Sequence, residues 1–374
     1  MPDPPSAACA NLAAVAQEAG VSRMTVSRVL RNAGYAAHDT RQRVLAAADR
    51  LGYRPNPMVS ALMTQIHQGK LSRPDHVLAY LTNSRARGGW RDNPTYGQFF
   101  DGATARAAQR GYRVEEYWLG DHGFSAARLS RVLYARGVRG VIVGPIASSH
   151  GHLNLKWEHF CPVAIGYSLL RPALDRVSND QYDSTLLALR ELRRLGYRRI
   201  GVAGRRHAAE RVHYRWPSAT LMYQWRYGQI DEALLHFPDV WRRESFLEWF
   251  RAARVDALAT LEPEAYGWLQ EAGYRVPEEV GVAQLDLASF HKPLAGVDQR
   301  SAAVGAGAVD AVIERINNNE LGVPAFARTV ALPGKWVSGE TVRCVAQPRT
   351  SSRRRNADET PANHSGSRSA RTPA

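Results

Sequence analysis

The segment "NLAAVAQEAGVSRMTVSRVL" can bury its apolar residues in few ways. Leu12, Val15 and Ala16 stand at i, i+3 and i+4 and give one short helix an apolar stripe; Val26, Val29 and Leu30 repeat the spacing in a second. Gly20 permits the turn between them, and Ser22 is placed to cap the second helix. Helices joined by "AGVS" must cross steeply, and Ala16 and Ala19 are small enough to let them touch, which is a helix-turn-helix pattern. A third helix, Thr40–Leu51, is expected to close the core with Val44, Leu45 and Ala48, and Thr40 is expected to cap it.

Arg23, Met24 and Arg28 fall outside the apolar stripe of the second helix. A guanidinium donates two hydrogen bonds to guanine O6 and N7, and a methionine touches a thymine methyl or the sugar edge. Ser22, Thr25 and Ser27, with the helix amino terminus, suit phosphate oxygens, which position a helix without reading sequence. Asn32 is a further backbone-contact candidate, with water as its alternative partner. The charge balance agrees, because 49 Lys and Arg against 35 Asp and Glu leave the 374-residue chain at +14, which favours a polyanion.

The same sequence argues against other classes. The start, "MPDPPSAACANLAAVAQEAG", lacks the basic region of a secretory signal, and no uncharged apolar run approaches membrane-spanning length, so a soluble, cytoplasmic protein without a membrane partner is expected. Cys9, Cys161 and Cys344 are too far apart to suggest a disulfide framework or a metal site. There is no GxSxG, HExxH, P-loop or GxGxxG after the first strand, and His207, His213 and His291 are scattered; no enzyme, no catalytic residue and no cofactor is expected.

From about 76 to 343 the pattern becomes α/β. Strand-like runs ("HVLAYL", "YRVEEYWL", "VRGVIVG", "CPVAIG", "RRIGVAG", "VDALAT" and "VGVAQL") alternate with helical segments at 96–109, 125–135, 184–195, 266–272 and 302–317. Gly111, Gly137, Gly196 and Gly273 mark helix ends. So many units exceed one convenient sheet, which predicts two α/β lobes of largely parallel strands and a ligand cleft near the carboxyl ends of the strands. Trp90 and Tyr96, near the end of the first strand, could stack on a sugar face or pack the helix against the sheet. The aromatic-rich stretches around Trp225, Trp241 and Trp249 are expected to fill a core or a dimer interface.

Between head and body, three prolines (Pro55, Pro57, Pro74) bracket the apolar "NPMVSALM". Asn56 can cap a helix from Pro57 to Thr64, with Met58 and Leu62 at i, i+4 and Val59 and Met63 beside them. So short a helix is unstable alone. Its apolar stripe makes sense if it pairs with a symmetry mate and inserts into DNA. The reading therefore divides the chain into a head at 11–56, a hinge helix and linker at 57–74, a body at 75–345 and a basic tail at 346–374, whose Ser, Pro and Arg composition predicts disorder.

The motifs "VAQEAGVSRMTVSRVL" and "RVLAAADRLGYRPN", at this spacing, resemble the LacI/GalR family of bacterial transcription regulators, and the likeness extends more weakly to about Arg343. The resemblance implies an all-α helix-turn-helix head with a hinge helix and a two-lobed, periplasmic-binding-protein-like α/β effector domain. It implies Arg23, Met24 and Arg28 as major-groove readers, Leu62 as a minor-groove wedge, and Met58 and Val59 as hinge-to-hinge contacts. In the cleft it implies Arg215 holding ligand hydroxyls, Asp286 as the acidic partner and Gln299 as a polar contact. Where the family often has Asn-Asp, this chain has "ALATLEPEAYG", with Thr260 and Glu262 in place of the pair. The implied protein is a homodimer on a pseudo-palindromic double-stranded operator, controlled by a small effector such as a sugar. Repression is favoured over activation or dual control, and a solute-binding protein without a regulatory role is the remote alternative.

Overall fold

The computed structural model describes residues 11–30, 37–53, 76–120, 125–228, 230–289 and 294–345. The expected hinge helix, Asn32 and the basic tail lie outside these residues.

Among its described residues the head is three helices, α1 (Leu12–Ala19), α2 (Arg23–Leu30) and α3 (His38–Arg50). The Asn11 side chain caps α1 by accepting from the Ala14 N–H at 2.9 Å, and Gly20 ends it in the left-handed region at φ 63°. The Ser22 hydroxyl accepts from the Thr25 N–H at 3.1 Å, as expected of the cap of α2. Val15, Val26, Val29 and Val44 pack with Ala16, Ala19, Ala47 and Ala48 to form the core.

Two expectations for α3 fail. The helix starts at His38, so Thr40 lies inside the first turn and does not cap it; Asp39 suits that turn through the helix dipole and pairs with Arg43 at 3.4 Å. Leu45 is 48% exposed, and Ala47 takes the third core position, because the stripe on α3 runs through Val44, Ala47 and Ala48.

Among its described residues the body has fourteen strands. In the first lobe β1 (His76–Thr82), β2 (Tyr112–Trp118), β3 (Gly140–Val143), β5 (Cys161–Ile165), β7 (Arg176–Asn179) and β13 (Thr329–Leu332) form a parallel sheet ordered β13-β7-β5-β3-β1-β2. The short β4 (Gly151–His152) and β6 (Leu169–Arg171) pair beside it. The second lobe holds β8 (Ile200–Ala203), β9 (Leu235–His236), β10 (Ala257–Thr260), β11 (Gly281–Gln284), β12 (Ala295–Asp298) and β14 (Lys335–Val337), ordered β14-β12-β11-β10-β8-β9. In this second sheet only the β12–β14 pair is antiparallel.

The chain crosses between lobes three times: from β7 into the Gln181–Arg194 helix, from β12 into the Ser301–Asn317 helix, and from β13 to β14. The second crossing is locked by glycine. A Cβ on Gly305 would meet the Phe99 carbonyl oxygen at 1.9 Å, and one on Gly102 would meet that of Ala302 at 1.9 Å, so the Ser301–Asn317 and Pro94–Gln109 helices touch backbone to backbone. No side chain fits there.

All seven expected strand runs form strands, and Gly111, Gly137, Gly196 and Gly273 have φ of 78°, 70°, 108° and 89°. The helix expected from Ser184 begins at Gln181, where the Asp180 carboxylate caps it. The aromatic-rich stretches contain further helices at Arg206–Glu210, Arg215–Tyr227 and Arg243–Ala253, and the two longer ones bury residues at helical spacing, Trp216, Ala219, Thr220 and Tyr223 in one and Phe246, Leu247, Phe250 and Ala253 in the other. Trp241 and Trp249 pack against the second-lobe core, whereas Trp225 is 66% exposed and joins no core.

Candidate DNA-reading face and effector cleft

On the head, α2 turns Val26 and Val29 inward and leaves Arg23, Met24 and Arg28 on the surface, with Met24 64% exposed. Met24 and Arg28 stand one turn apart, on the same face. Ser22 is exposed, and its hydroxyl also lies 2.9 Å from that of Thr25; Ser27 is half-buried. Among the described residues neither Arg23 nor Arg28 makes an ion pair, so both forks are available. Of the expected DNA contacts, Asn32, Asn56, Met58, Val59, Leu62 and Met63 lie outside the described residues.

The lobes enclose a cavity of about 820 Å³ at the carboxyl ends of their strands. That volume suits a small molecule. Trp90, Tyr96, Glu262, Asp286 and Gln299 all line it; Thr260 and Arg215 do not.

The first-lobe aromatics are partly committed. Trp90 donates its Nε1–H to Glu116 at 2.6 Å, and the Arg91 guanidinium covers its ring at 4.2 Å. The Tyr96 hydroxyl accepts from Arg211 Nη2 at 2.7 Å, and burial, moderated by Arg211, pushes its pKa up.

The second-lobe groups are more constrained. Asp286 accepts from the Thr95 hydroxyl at 2.6 Å, across the cleft, and from the Ala288 N–H at 3.0 Å. Burial raises its pKa against these donors, which pull the other way. Glu262 is buried, and its carboxylate accepts from the Arg205 N–H at 2.9 Å and pairs with Arg205 Nε at 2.8 Å; burial nonetheless pushes its pKa up. Thr260 is fully buried, and its hydroxyl accepts from the Glu262 N–H at 3.0 Å, so it shapes the loop that holds Glu262. Gln299 donates its Nε2–H to the Leu285 carbonyl, and its backbone carbonyl accepts from Asn179 Nδ2 at 2.8 Å.

The arginine expected in the cavity is displaced. Arg215 opens the Arg215–Tyr227 helix after His213 and Tyr214, both left-handed at φ 53° and 57°, and that turn sends its guanidinium over the Tyr167 ring at 4.4 Å. Arg211, four residues earlier, lines the cavity in its place. Its Nη1 donates to the carbonyls of Ile146 and Ala147, and His207 Nε2 lies 3.2 Å from the same Ala147 oxygen. The i, i+4 spacing of His207 and Arg211 was the signal that could have marked them. With Thr95–Asp286, these contacts tie the lobes together across the cavity.

A helix-turn-helix head with an exposed basic face, on a two-lobed α/β body that encloses a cavity of small-molecule size, defines a DNA-binding protein with a cleft-bearing body. The family model for "Bacterial regulatory proteins, lacI family" matches residues 11–56, and that for "Periplasmic binding protein-like domain" matches residues 189–342. The chain is 27% identical over 327 residues to the HTH-type transcriptional regulator PtxS of Pseudomonas plecoglossicida, covering 82% of this chain and 89% of that one. Its fold is similar to that of the transcriptional regulator CelR–cellobiose complex (TM-score 0.53, 23% identity, covering 89% of this chain and 99% of that one). It is also similar to the lac repressor dimer bound to operator and the anti-inducer ONPF (TM-score 0.51, 20% identity, covering 90% of this chain and 100% of that one). The chain thus carries a lacI-family DNA-binding head and a periplasmic-binding-protein-like body, resembles LacI-family regulators over most of its length, and is a sequence-specific DNA-binding regulator. Among the described residues no helix is long and apolar enough to cross a membrane, and no group of three His, Cys, Asp or Glu could hold a metal ion.

Proposed function

We propose that the protein is a cytoplasmic, non-enzymatic, homodimeric repressor of carbohydrate-related genes, released from or driven to its operator by a small effector in the cleft. The reading divides it into a head (11–56), a hinge and linker (57–74), a body (75–345) and a tail (346–374). Arg23, Met24 and Arg28 read base edges, and Ser22, Thr25, Ser27 and Asn32 meet the backbone. Asn56 caps a hinge helix in which Leu62 wedges the minor groove while Met58, Val59 and Met63 face the partner hinge. Tyr96, Asp286 and Glu262 meet the effector, with Trp90 at the rim and Gln299 and Thr260 positioning backbone. Arg211 takes the role first expected of Arg215.

The observation that carries the reading is the set of cross-lobe bonds from Arg211 and Thr95 inside a cavity lined at two of the chain crossings, by Asn179 and Gln181 and by Gln299. A ligand that replaces those bonds changes how the lobes sit, which is the differential affinity for two states that control requires. The CelR relative holds cellobiose, and the lac repressor relative is a dimer on its operator; both support this assignment by analogy. A single small head reads too few base pairs for specificity, so two heads on a two-fold site are required.

Selection of binding sites from random DNA by purified full-length protein tests the reading, followed by a screen of neutral and charged sugars for a shift in operator affinity. The expected result is a pseudo-palindrome and an effector whose action is abolished by Arg211→Ala. Recovery of asymmetric sites, or loss of operator control in no cleft variant, would refute it. Leu62→Ala is expected to remove most operator bending in a circular-permutation gel assay while effector binding persists.

A further inference from the structure

The second-lobe sheet is covered on one face by the Arg243–Ala253 and Glu264–Glu271 helices and on the other by the Gln181–Arg194 and Arg215–Tyr227 helices. Between the latter two lies a groove of about 260 Å³ that shares no lining residue with the cavity between the lobes. Tyr182, Leu186 and Arg190 line it from one helix, at i, i+4 and i+8, and Met222, Arg226 and Tyr227 line it from the other. Met222, Tyr227 and the neighbouring Trp225 are exposed. A contiguous apolar surface of this kind, rimmed by charge, marks a place where another molecule docks.

The charge of the groove is one-sided. No carboxylate lines it, and Glu191, on the first helix, is taken by Arg194 at 2.9 Å. The Arg193 guanidinium lies over the Tyr227 ring at 5.0 Å and also acts on Tyr223, whose pKa burial pushes up and Arg193 pulls back. Arg226 approaches the same Tyr227 ring at 5.8 Å. Among the described residues neither Arg190 nor Arg226 makes an ion pair, so two open forks flank Leu186 and Met222.

Charge also selects the occupant. A second copy presenting this face across a two-fold axis would set Arg190 and Arg226 against their own kind. The chain's own end fits no better. It leaves the fold beside the first helix, where the Val345 N–H donates to the Leu195 carbonyl at 2.7 Å, but residues 346–374 hold six arginines against Asp358 and Glu359. Nucleic acid would satisfy the arginines through its phosphates and leave Leu186 and Met222 uncovered.

We propose that this groove docks an acidic amphipathic segment of another protein. One bulky apolar side chain of the partner enters between Leu186 and Met222, and carboxylates flanking it pair with Arg190 and Arg226. Trp, Tyr and Arg carry most of the binding energy at protein interfaces, and Met adapts to the shape it meets. A guanidinium takes a carboxylate through two parallel charge-assisted hydrogen bonds, which fixes the register of the segment. The regulator thereby has an input for a protein signal on a face separate from its head and its cleft.

A phage library of random peptides, panned on the full-length protein, tests the docking. Sheared DNA in excess occupies the head and keeps acidic peptides from being captured there. The expected result is a consensus of Asp or Glu flanking one aromatic or large aliphatic residue. A labelled synthetic peptide of that consensus is then titrated by fluorescence anisotropy against wild type, Arg226→Glu, Met222→Ala and, as a charge control, Arg275→Glu, whose arginine pairs with Glu279 on the surface outside the groove. Arg226 and Met222 are both exposed, so neither substitution threatens the core. Wild type and Arg275→Glu should bind alike, with binding weaker by about tenfold or more in Arg226→Glu and about threefold or more in Met222→Ala. No consensus with DNA present, which would leave the arginines to nucleic acid, or a consensus without acidic residues overturns the proposal. Equal binding by all four proteins puts the peptide elsewhere and overturns it too. Weakening in Arg226→Glu with none in Met222→Ala would show charge attraction without insertion, with the same consequence.

Discussion

The head buries four valines and four alanines and keeps Arg23, Met24 and Arg28 outside; the cleft draws Glu262 and Gln299 inward and ties them to backbone. Both are recognition surfaces, yet one presents polar groups from a minimal apolar scaffold and the other holds them within the fold. DNA supplies its own charge and its own regular groove, so exposed side chains on one short helix suffice to read it. A small solute supplies little surface, so the protein must surround it and fix each donor in advance. The head should therefore fail through its core, and the body through its buried polar network.

The sharpest break is Val26→Asp. Val26 is fully buried in a core built from eight small side chains, and a carboxylate there has no partner among the residues that pack around it. So small a core has little reserve. Specific operator affinity is expected to fall by about a thousandfold or more, towards the non-specific level, in a fluorescence anisotropy titration. The thermal transition of the body should not move. A body that melts earlier in this variant would mean the two regions are not energetically separate.

Next in size is Asp175→Ala in the body. Asp175 is 4% exposed and accepts from Arg315 Nη1 at 2.9 Å, from the Arg328 N–H at 2.8 Å and from Arg328 Nη2 at 3.1 Å, fastening the end of the Ser301–Asn317 helix to β7 and β13. Burial alone would raise its pKa, but these donors win and hold it below the ordinary value. Removing one partner of a buried pair strands the other, here Arg315, at a cost of about 3–5 kcal/mol. Denaturant unfolding should show that loss in the body transition, with head-only DNA contacts unaffected per folded molecule.

The same contrast decides what could be read from the chain. The head is legible because Val26, Val29 and Gly20 act on neighbours within a turn or two, and the four helix-ending glycines are local in the same sense. Local pattern still misplaced Thr40 and Leu45, since a stripe one residue over is equally apolar. The cleft depends on pairs such as Thr95 and Asp286, 191 positions apart, which no periodicity announces. Asp286, Tyr96 and Glu262, expected from strand ends and the family pattern, line the cavity. Arg211 was passed over for Arg215 because two left-handed residues, His213 and Tyr214, reset the helix between them. Thr260, expected as a ligand contact, is enclosed, because its hydroxyl serves the backbone.

Smaller effects separate reading from closing. Arg28→Ala should cost about 1–3 kcal/mol at one operator base position and much less elsewhere, as measured by competition with singly substituted operators. Uniform weakening across all sites would reassign Arg28 to phosphate. Thr95→Val removes the donor that joins Asp286 across the cleft and should destabilise the closed lobes by about 1 kcal/mol. Small-angle scattering of the body would report a more open average; an unchanged profile would mean Arg211 and His207 hold closure without it.

The smallest expected effect lies away from both recognition surfaces, where pH tests how the second lobe tolerates a buried polar group without a partner. The His236 ring is stacked on Trp249 at 4.8 Å, with Trp241 at 5.8 Å, and its Nε2 is buried without a hydrogen bond. Burial holds its pKa below the ordinary value of 6.5. Because the folded pKa lies below the unfolded one, the unfolded chain binds more protons between them, and stability in that window rises with pH. The contribution is fully present above 6.5 and is lost as pH falls through the depressed value. His213, also depressed, acts with the same sign but sits at the cleft flank, facing Arg176, Arg215 and His150. Melting temperature should thus drop on acidification below about pH 6.5, and His236→Phe should flatten part of that slope, leaving the share that belongs to His213. Identical slopes in His236→Phe and wild type would show that the aromatic cage opens to water before His236 titrates, and that the second lobe is less tightly closed than the tie between Glu262 and Arg205 implies.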